Sequence, residues 1–574
     1  MNKILVSALT ITSLAFASPS EAQVTKDQAL LIDEGRRVFM EETFEGNGRT
    51  CGTCHIPAEA YNIFPSSLEK LSKKELELVF ASNVPGFENT DLIRSHALFN
   101  ISGGPPPLCP GDEPSCFDDE DGHSGPIFRA SMGIQALDLT THMNEAAVLP
   151  RPQQNGTILP PIFRGTPLLP PECSEGVELE LPQLGWSGDG SPGTPKLLPD
   201  DDTCQTHHGF FDEDADGSFR AFATGAIAQH FPRSVERTVG LDFRRGTPEE
   251  LDALEAFQRW LGRRPLTEEE NAIQETENAS EFEILLLEFA DSRVALGRDH
   301  YATNDGATCN RCHDNGGALS FDNGRNDNNL TKVALASEDI GLAVLGYPLP
   351  KDEGVTVTAF SGGDTGVMTG AFNSQSIIEA AEKKAWFHNH KVVNDFEEAI
   401  AHYGSDDFLT GPPSNRPIGT VKPEGGMEGL QFGGQQEGAP AFPAGDGIEH
   451  LGAFLRALNA FYELRDCERL IGEALDRIEL NVSADNPIEH CMFNLDAVTR
   501  VLSQSKLPSL HPDIQKQAKQ TIAKLTAAQM EAKNAVGTKT KDARKIQKIE
   551  QKLADINGSI VAMRDAIALQ VPPL

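Results

Sequence analysis

The sequence predicts a mainly α protein: two small helical units of similar build, joined through long loops and followed by a helical C-terminal extension. Three observations predict it. Cys-x-x-Cys-His occurs twice, as Cys51-Gly52-Thr53-Cys54-His55 and Cys309-Asn310-Arg311-Cys312-His313, and each copy follows a helical segment containing Gly-Arg, at Gly35-Arg36-Arg37 and at Gly297-Arg298. Residues 105–216 are dense in Pro, Gly, Asp and Ser, the composition of long ordered loops. Residues 447–568 carry apolar positions at helical spacing almost without a break.

The elements follow in chain order. Lys3, an apolar run over 4–17 and then small residues have the form of a secretory signal over 1–22. Ser20-Glu21-Ala22 before Gln23 is the preferred cleavage site, with Ala15-Phe16-Ala17 second. The run is too short to cross a bilayer, and no later stretch approaches the roughly 20 apolar residues a span needs. The expected protein is therefore exported, periplasmic and without a membrane span. A helix is expected over 26–41, carrying Leu30, Leu31, Val38 and Phe39, and it leads into the first motif. Thr247-Pro248-Glu249-Glu250 opens a second helix to about 261, with Thr as cap and Pro in the first turn. A third covers 281–298 and leads to the second motif, while 362–370 and 411–447 read as Gly-rich loops. Residues 512–568 read as a helical hairpin broken near Gly537. The corresponding domains are 23–270, 271–465 and an extension over 466–574.

The paired motifs carry the chemistry. Cys-x-x-Cys-His is the attachment signature of a c-type haem: the two thiols add to the vinyl groups, and the adjoining His supplies an axial nitrogen. A zinc ribbon would set its two Cys pairs close in sequence and has no need of the His, and a thioredoxin-like pair does not need it either. Two covalent haems are therefore expected, through Cys51, Cys54 and His55 and through Cys309, Cys312 and His313. Covalent attachment outside the cytoplasm agrees with the leader. Six further cysteines allow fifteen pairings; their order suggests Cys109–Cys116, Cys173–Cys204 and Cys467–Cys491 in an oxidising space. A net charge of -36 argues against nucleic acid or an anionic membrane surface as partner, and suits a small basic redox protein as electron donor. Asp212-Glu213-Asp214-Ala215-Asp216-Gly217 opens like a calcium loop, but Ala223 stands where an EF-hand has its twelfth-position Glu; Ca²⁺ and a solvated acidic turn both remain open. Asp118-Asp119-Glu120-Asp121-Gly122 is a weaker version.

Around both motifs the wording resembles the bacterial di-haem cytochrome c peroxidase superfamily, which includes the di-haem enzyme that matures methylamine dehydrogenase and, more distantly, the rubber oxygenases. The resemblance rests on Glu34-Gly35-Arg36-Arg37-Val38-Phe39 with Gly46-Asn47-Gly48-Arg49-Thr50 before the first motif, on Leu184-Gly185-Trp186-Ser187-Gly188-Asp189-Gly190, and on Trp386-Phe387-His388-Asn389 with Glu397-Glu398-Ala399-Ile400-Ala401-His402-Tyr403. It covers about 26–464 and leaves the Cys-rich loops and the C-terminal helices unaccounted for. It implies two cytochrome-c-like haem domains, a reactive haem at His55 that meets hydrogen peroxide or dioxygen, and an electron-relaying haem at His313.

The resemblance further implies Trp186 as a relay between the haems and a distal acid–base group after it. Where the family commonly has Glu, this chain offers Gln229 and His230, and His230 is the candidate, with its pKa expected near working pH. No His other than His55 lies between Cys54 and Gly86, so the first haem is expected to be open. By position Tyr403 becomes the sixth ligand of the second haem, with His402, His388 and His390 as the other candidates. Three functions are consistent with these residues: a peroxidase, a high-valent oxidase or oxygenase acting on a protein or organic substrate, and an electron-transfer cytochrome.

Overall fold

The computed structural model describes residues 24–100, 128–131, 133–135, 219–262, 287–302, 309, 332–333, 355–361, 364–373, 377–387, 390–403, 446–536 and 543–570. It is mainly helical, with twelve α-helices and nine short strands among these residues. No described helix is long and apolar enough to cross a membrane.

Helix α1 (Lys26–Glu41) forms where expected. Thr25 accepts the Gln28 amide, and the Gln28 side chain returns the bond to the Thr25 amide, a capping box that satisfies two free donors at the helix start. The buried stripe is Ala29, Ile32, Gly35, Val38 and Phe39, whereas Leu30 and Leu31 face outward. After the first motif come α2 (Pro65–Leu68), α3 (Lys73–Val79) and α4 (Thr90–His96), then β1 (Leu98–Asn100) paired antiparallel with β2 (Phe128–Ala130). Helices α5 (Phe219–His230) and α6 (Pro248–Leu261) close the first unit, and α6 has the expected Thr247 cap.

Two expectations change. The helix expected over 281–298 begins only at Ser292, as α7 (Ser292–Ala302), and Leu287–Phe289 is instead strand β3. The partner of β3 is β9 (Ala568–Gln570), nearly three hundred residues away, so no local pattern reveals it. The Gly-rich segment at 362–370 is a hairpin, not a loop: β5 (Val355–Ser361) pairs with β6 (Asp364–Asn373), and β4 (Lys332–Val333) lies on the far side of β6. The alternation Val355-Thr356-Val357-Thr358 is the strand signal, and the glycines obscured it. Strands β7 (Ala385–Trp386) and β8 (Val392–Val393) precede α8 (Phe396–His402).

The extension consists of α9 (Asp446–Glu479), α10 (Asp485–Ser503), α11 (Pro512–Ala535) and α12 (Ala543–Ile567). At 1.5 Å per residue α9 is about 50 Å long. It runs unbroken through residues 465 and 466 and packs on α7, α8, α10 and α12, so the extension grows directly out of the second unit. Cys467 and Cys491 form the expected disulfide between α9 and α10, with Cα atoms 4.8 Å apart. Cys109, Cys116, Cys173 and Cys204 lie outside the described residues.

The two units are built on the same helix crossing. A Cβ on Gly35 would lie 1.9 Å from the Ala253 carbonyl oxygen and 2.7 Å from the Phe257 Cβ. A Cβ on Gly297 would lie 2.0 Å from the His450 carbonyl oxygen and 2.8 Å from the Phe454 Cβ. One turn past each glycine an aromatic ring meets that same phenylalanine: Phe39 on Phe257 at 5.3 Å, and Tyr301 on Phe454 at 5.4 Å. Only glycine allows the backbones this close, and the aromatic pair locks the register.

Candidate functional site

Cys51–Thr53 is a single 3₁₀ turn, started by the Thr53 hydroxyl accepting the Thr50 amide at 2.9 Å. The turn spans two apolar clusters: Cys51 packs against the main core, and Cys54 against the cluster of Ile63, Val79, Phe80 and Ile93. Their sulfurs are not bonded to each other. Burial pushes the Cys51 thiol up to about 12 and the Cys54 thiol up to about 11, so neither is a thiolate at neutral pH. Gly52 presses on Met40, where a Cβ would lie 2.7 Å from the methyl carbon.

His55 is oriented by the chain itself. Its Nδ1 lies 2.9 Å from the Tyr61 carbonyl oxygen, and since a carbonyl only accepts, Nδ1 carries the proton and Nε2 keeps its lone pair. Burial lowers the pKa of the ring, leaving a neutral imidazole of the kind that ligates metals. Delivering the Tyr61 carbonyl requires two successive residues in the left-handed region, Ala60 at φ 56° and Tyr61 at φ 49°. Non-glycine residues adopt this backbone at a cost, and such strain concentrates at functional sites. The sequence carries no signal for it beyond the scarcity of tyrosine.

His230 is the last residue of α5, and its backbone carbonyl accepts the Asn47 side-chain amide at 3.0 Å. It is buried and close enough to His55 for the two rings to act on each other electrostatically. Burial first, then Arg49, Arg237 and His55, push it down to about 3. The expected titration near working pH is therefore wrong: His230 is held neutral. Arg49 forms a buried ion pair with Glu88 at 2.8 Å. Arg237 is stacked over Phe87 at 4.6 Å, and its Nη2 is buried with no hydrogen-bond partner among the described residues. An orphaned guanidinium nitrogen calls for an acceptor such as a carboxylate.

This donor set suits a haem held through Cys51, Cys54 and His55: two uncharged thiols one turn apart, a neutral imidazole whose Nε2 keeps its lone pair, and a buried arginine with a donor to spare for a propionate carboxylate. At the second motif Cys309 packs against the main core beyond α7, while Cys312 and His313 lie outside the described residues. So do Trp186, His388 and the acidic segments 118–122 and 212–217. Tyr403 follows α8 directly; its ring lies 5.9 Å from Phe387, and that of His402 4.9 Å from the same phenylalanine. The His390 Nδ1 donates to the His96 carbonyl at 2.6 Å.

Two clusters were not legible beforehand. Glu59 accepts ion pairs from Lys70 at 2.7 Å and from Lys384, which ties the loop after the first motif to the segment before α8. Glu379, Glu382 and Glu463 bring three buried carboxylates within 4.8 Å of one another, and Arg500 donates to the Glu382 carbonyl at 2.6 Å. Both clusters join residues far apart in the chain. Comparison with protein-family models, with curated proteins and with solved structures finds no match to this chain.

Proposed function

We propose that the mature chain is a periplasmic di-haem c-type oxidoreductase that reduces hydrogen peroxide at the His55 haem. Electrons would enter at the His313 haem from a small redox protein. The observation that carries this reading is the repetition of one assembly, a glycine-notched helix crossing with an aromatic lock followed by Cys-x-x-Cys-His. A single motif can arise by chance; two on equivalent scaffolds argue for two equivalent prosthetic groups. The resemblance around both motifs points the same way.

Each haem would supply an iron that exchanges electrons at potentials set by its ligands and surroundings. The chain's own groups do the rest. His55 is held through Nδ1, so Nε2 would be the atom that holds the iron. Arg237 and Arg49 favour negative charge in the first site. The neutral His230 ring accepts the first peroxide proton, and a ring so reluctant to hold a proton returns it readily to the departing oxygen as water forms.

The test is to titrate oxidised and reduced protein with hydrogen peroxide while recording the spectra of both haems. Rapid turnover with a cytochrome donor supports the peroxidase. A long-lived two-electron-oxidised species would instead indicate an oxidase or oxygenase, and two six-coordinate haems inert to peroxide an electron carrier. An unchanged second-haem spectrum in Tyr403→Phe would remove Tyr403 as ligand.

A further inference from the structure

Behind His55 a file of aromatic rings leads away from the first site into the C-terminal helices. His55 lies 5.9 Å from Phe39, Phe39 lies 5.3 Å from Phe257, and Phe257 stacks on Trp260 at 5.8 Å. A second branch runs from Tyr61, whose carbonyl holds His55, to His490 at 5.9 Å and on to Trp260 at 5.3 Å. Trp260 and Tyr61 are both buried, and they are the oxidisable residues of this cluster.

Their surroundings differ in what they do with a proton. The Trp260 Nε1 donates to the Glu473 Oε2 at 2.6 Å, and the other Glu473 oxygen is fixed by the Arg477 Nε at 2.6 Å. The indole proton therefore has a carboxylate waiting for it. Arg469 stands 5.9 Å from the Trp260 ring, which opposes a charged indole radical and favours one that has lost its proton. Tyr61 is bonded to Arg36, a cation with donors only, so its phenol has no acceptor there.

We propose, resting on the haem reading of the His55 site, that Trp260 with Glu473 is an internal electron donor to that site. As the O–O bond of hydrogen peroxide breaks, two electrons and two protons convert it to two waters. Trp260 supplies one of those electrons, and its Nε1 proton passes to Glu473, leaving a neutral indolyl radical. The second electron comes from the external one-electron reductant, and the protons come from solvent. A further electron from that reductant restores the indole as Glu473 returns its proton. Trp260 is thus a relay residue that draws on the C-terminal helices, through the Glu473 carboxylate of α9 and the His490 ring of α10.

The test uses full-length, haem-loaded protein labelled with ring-deuterated tryptophan, mixed with hydrogen peroxide and frozen rapidly for electron paramagnetic resonance. The expected result is a radical signal that narrows with the label and is lost in Trp260→Phe. It should persist in Trp386→Phe, and Glu473→Gln, which leaves the indole in place, keeps the test valid if Trp260→Phe fails to fold. Glu473→Gln should lower the radical yield at unchanged haem content. A signal that ignores the label, survives in Trp260→Phe or is unaffected by Glu473→Gln overturns the proposal. So does peroxide consumption with no protein radical. Absence of haem, or of any reaction with peroxide, overturns the functional reading itself and is separately visible in the optical spectrum.

Discussion

His230 shows how a residue's chemistry can be misjudged from sequence. Its position near the first site was accessible from the resemblance, but its ionisation depends on Arg49 and Arg237, which only the fold brings near it. His230→Ala should slow the peroxide reaction about 100-fold, the usual worth of a positioned acid–base group, with haem content unchanged. Stopped-flow mixing measures it, and an unchanged rate removes the assignment. Glu59 makes a prediction about pH. Burial alone would raise its carboxyl, but Lys384 and Lys70 together outweigh that and hold it below its ordinary value of 4.5. In the acid range the unfolded chain therefore binds the proton more tightly than the folded one. The stabilisation from Glu59 is fully present above its unfolded pKa and is lost as pH falls through the lower folded value. Glu59→Gln should cost about 1.5–3 kcal/mol at neutral pH, the worth of hydrogen bonds to charged groups, and should flatten the acid limb of the stability curve. Denaturant unfolding between pH 3 and 7 checks it; parallel curves for the two proteins would contradict it.

The helices were the most legible elements, because their signals are local. The Thr247 cap places the start of α6 and apolar periodicity places α1 without reference to the rest of the chain, whereas the Thr25 cap of α1 came only with the structure. Strand β3 and the β5–β6 hairpin were missed for opposite reasons: β3 depends on a distant partner, and the hairpin was hidden by its own glycines. Gly35 and Gly297 stood in the sequence as a repeated Gly-Arg pair, but their role as contact points of two helix crossings needed the structure. Gly35→Ala and Gly297→Ala should each destabilise by about 1–3 kcal/mol or more, the usual cost of overpacking, since the added carbon meets rigid backbone rather than a movable side chain. Thermal unfolding by circular dichroism reads the loss, and wild-type midpoints in both variants would refute the crossing argument.

For the whole molecule, one core joins both units to the extension, and α9 belongs to both the second unit and the extension. The Cys467–Cys491 disulfide ties α9 to α10, and the β3–β9 pairing ties the strand after α12 to the strand before α7, so the extension shares the core of the second unit. Composition and charge suggested an exported protein and argued against a nucleic-acid partner, but they carried nothing about this shared core. The central claim is that the chain carries two covalent haems on two equivalent scaffolds. Intact-mass spectrometry of full-length protein, exported by a host that attaches c-type haem, tests it most directly. The account predicts the mature polypeptide plus two haems, and the polypeptide plus one haem in Cys51→Ser/Cys54→Ser and likewise in Cys309→Ser/Cys312→Ser. A wild-type mass with no haem, or with one that either double variant leaves in place, would contradict it.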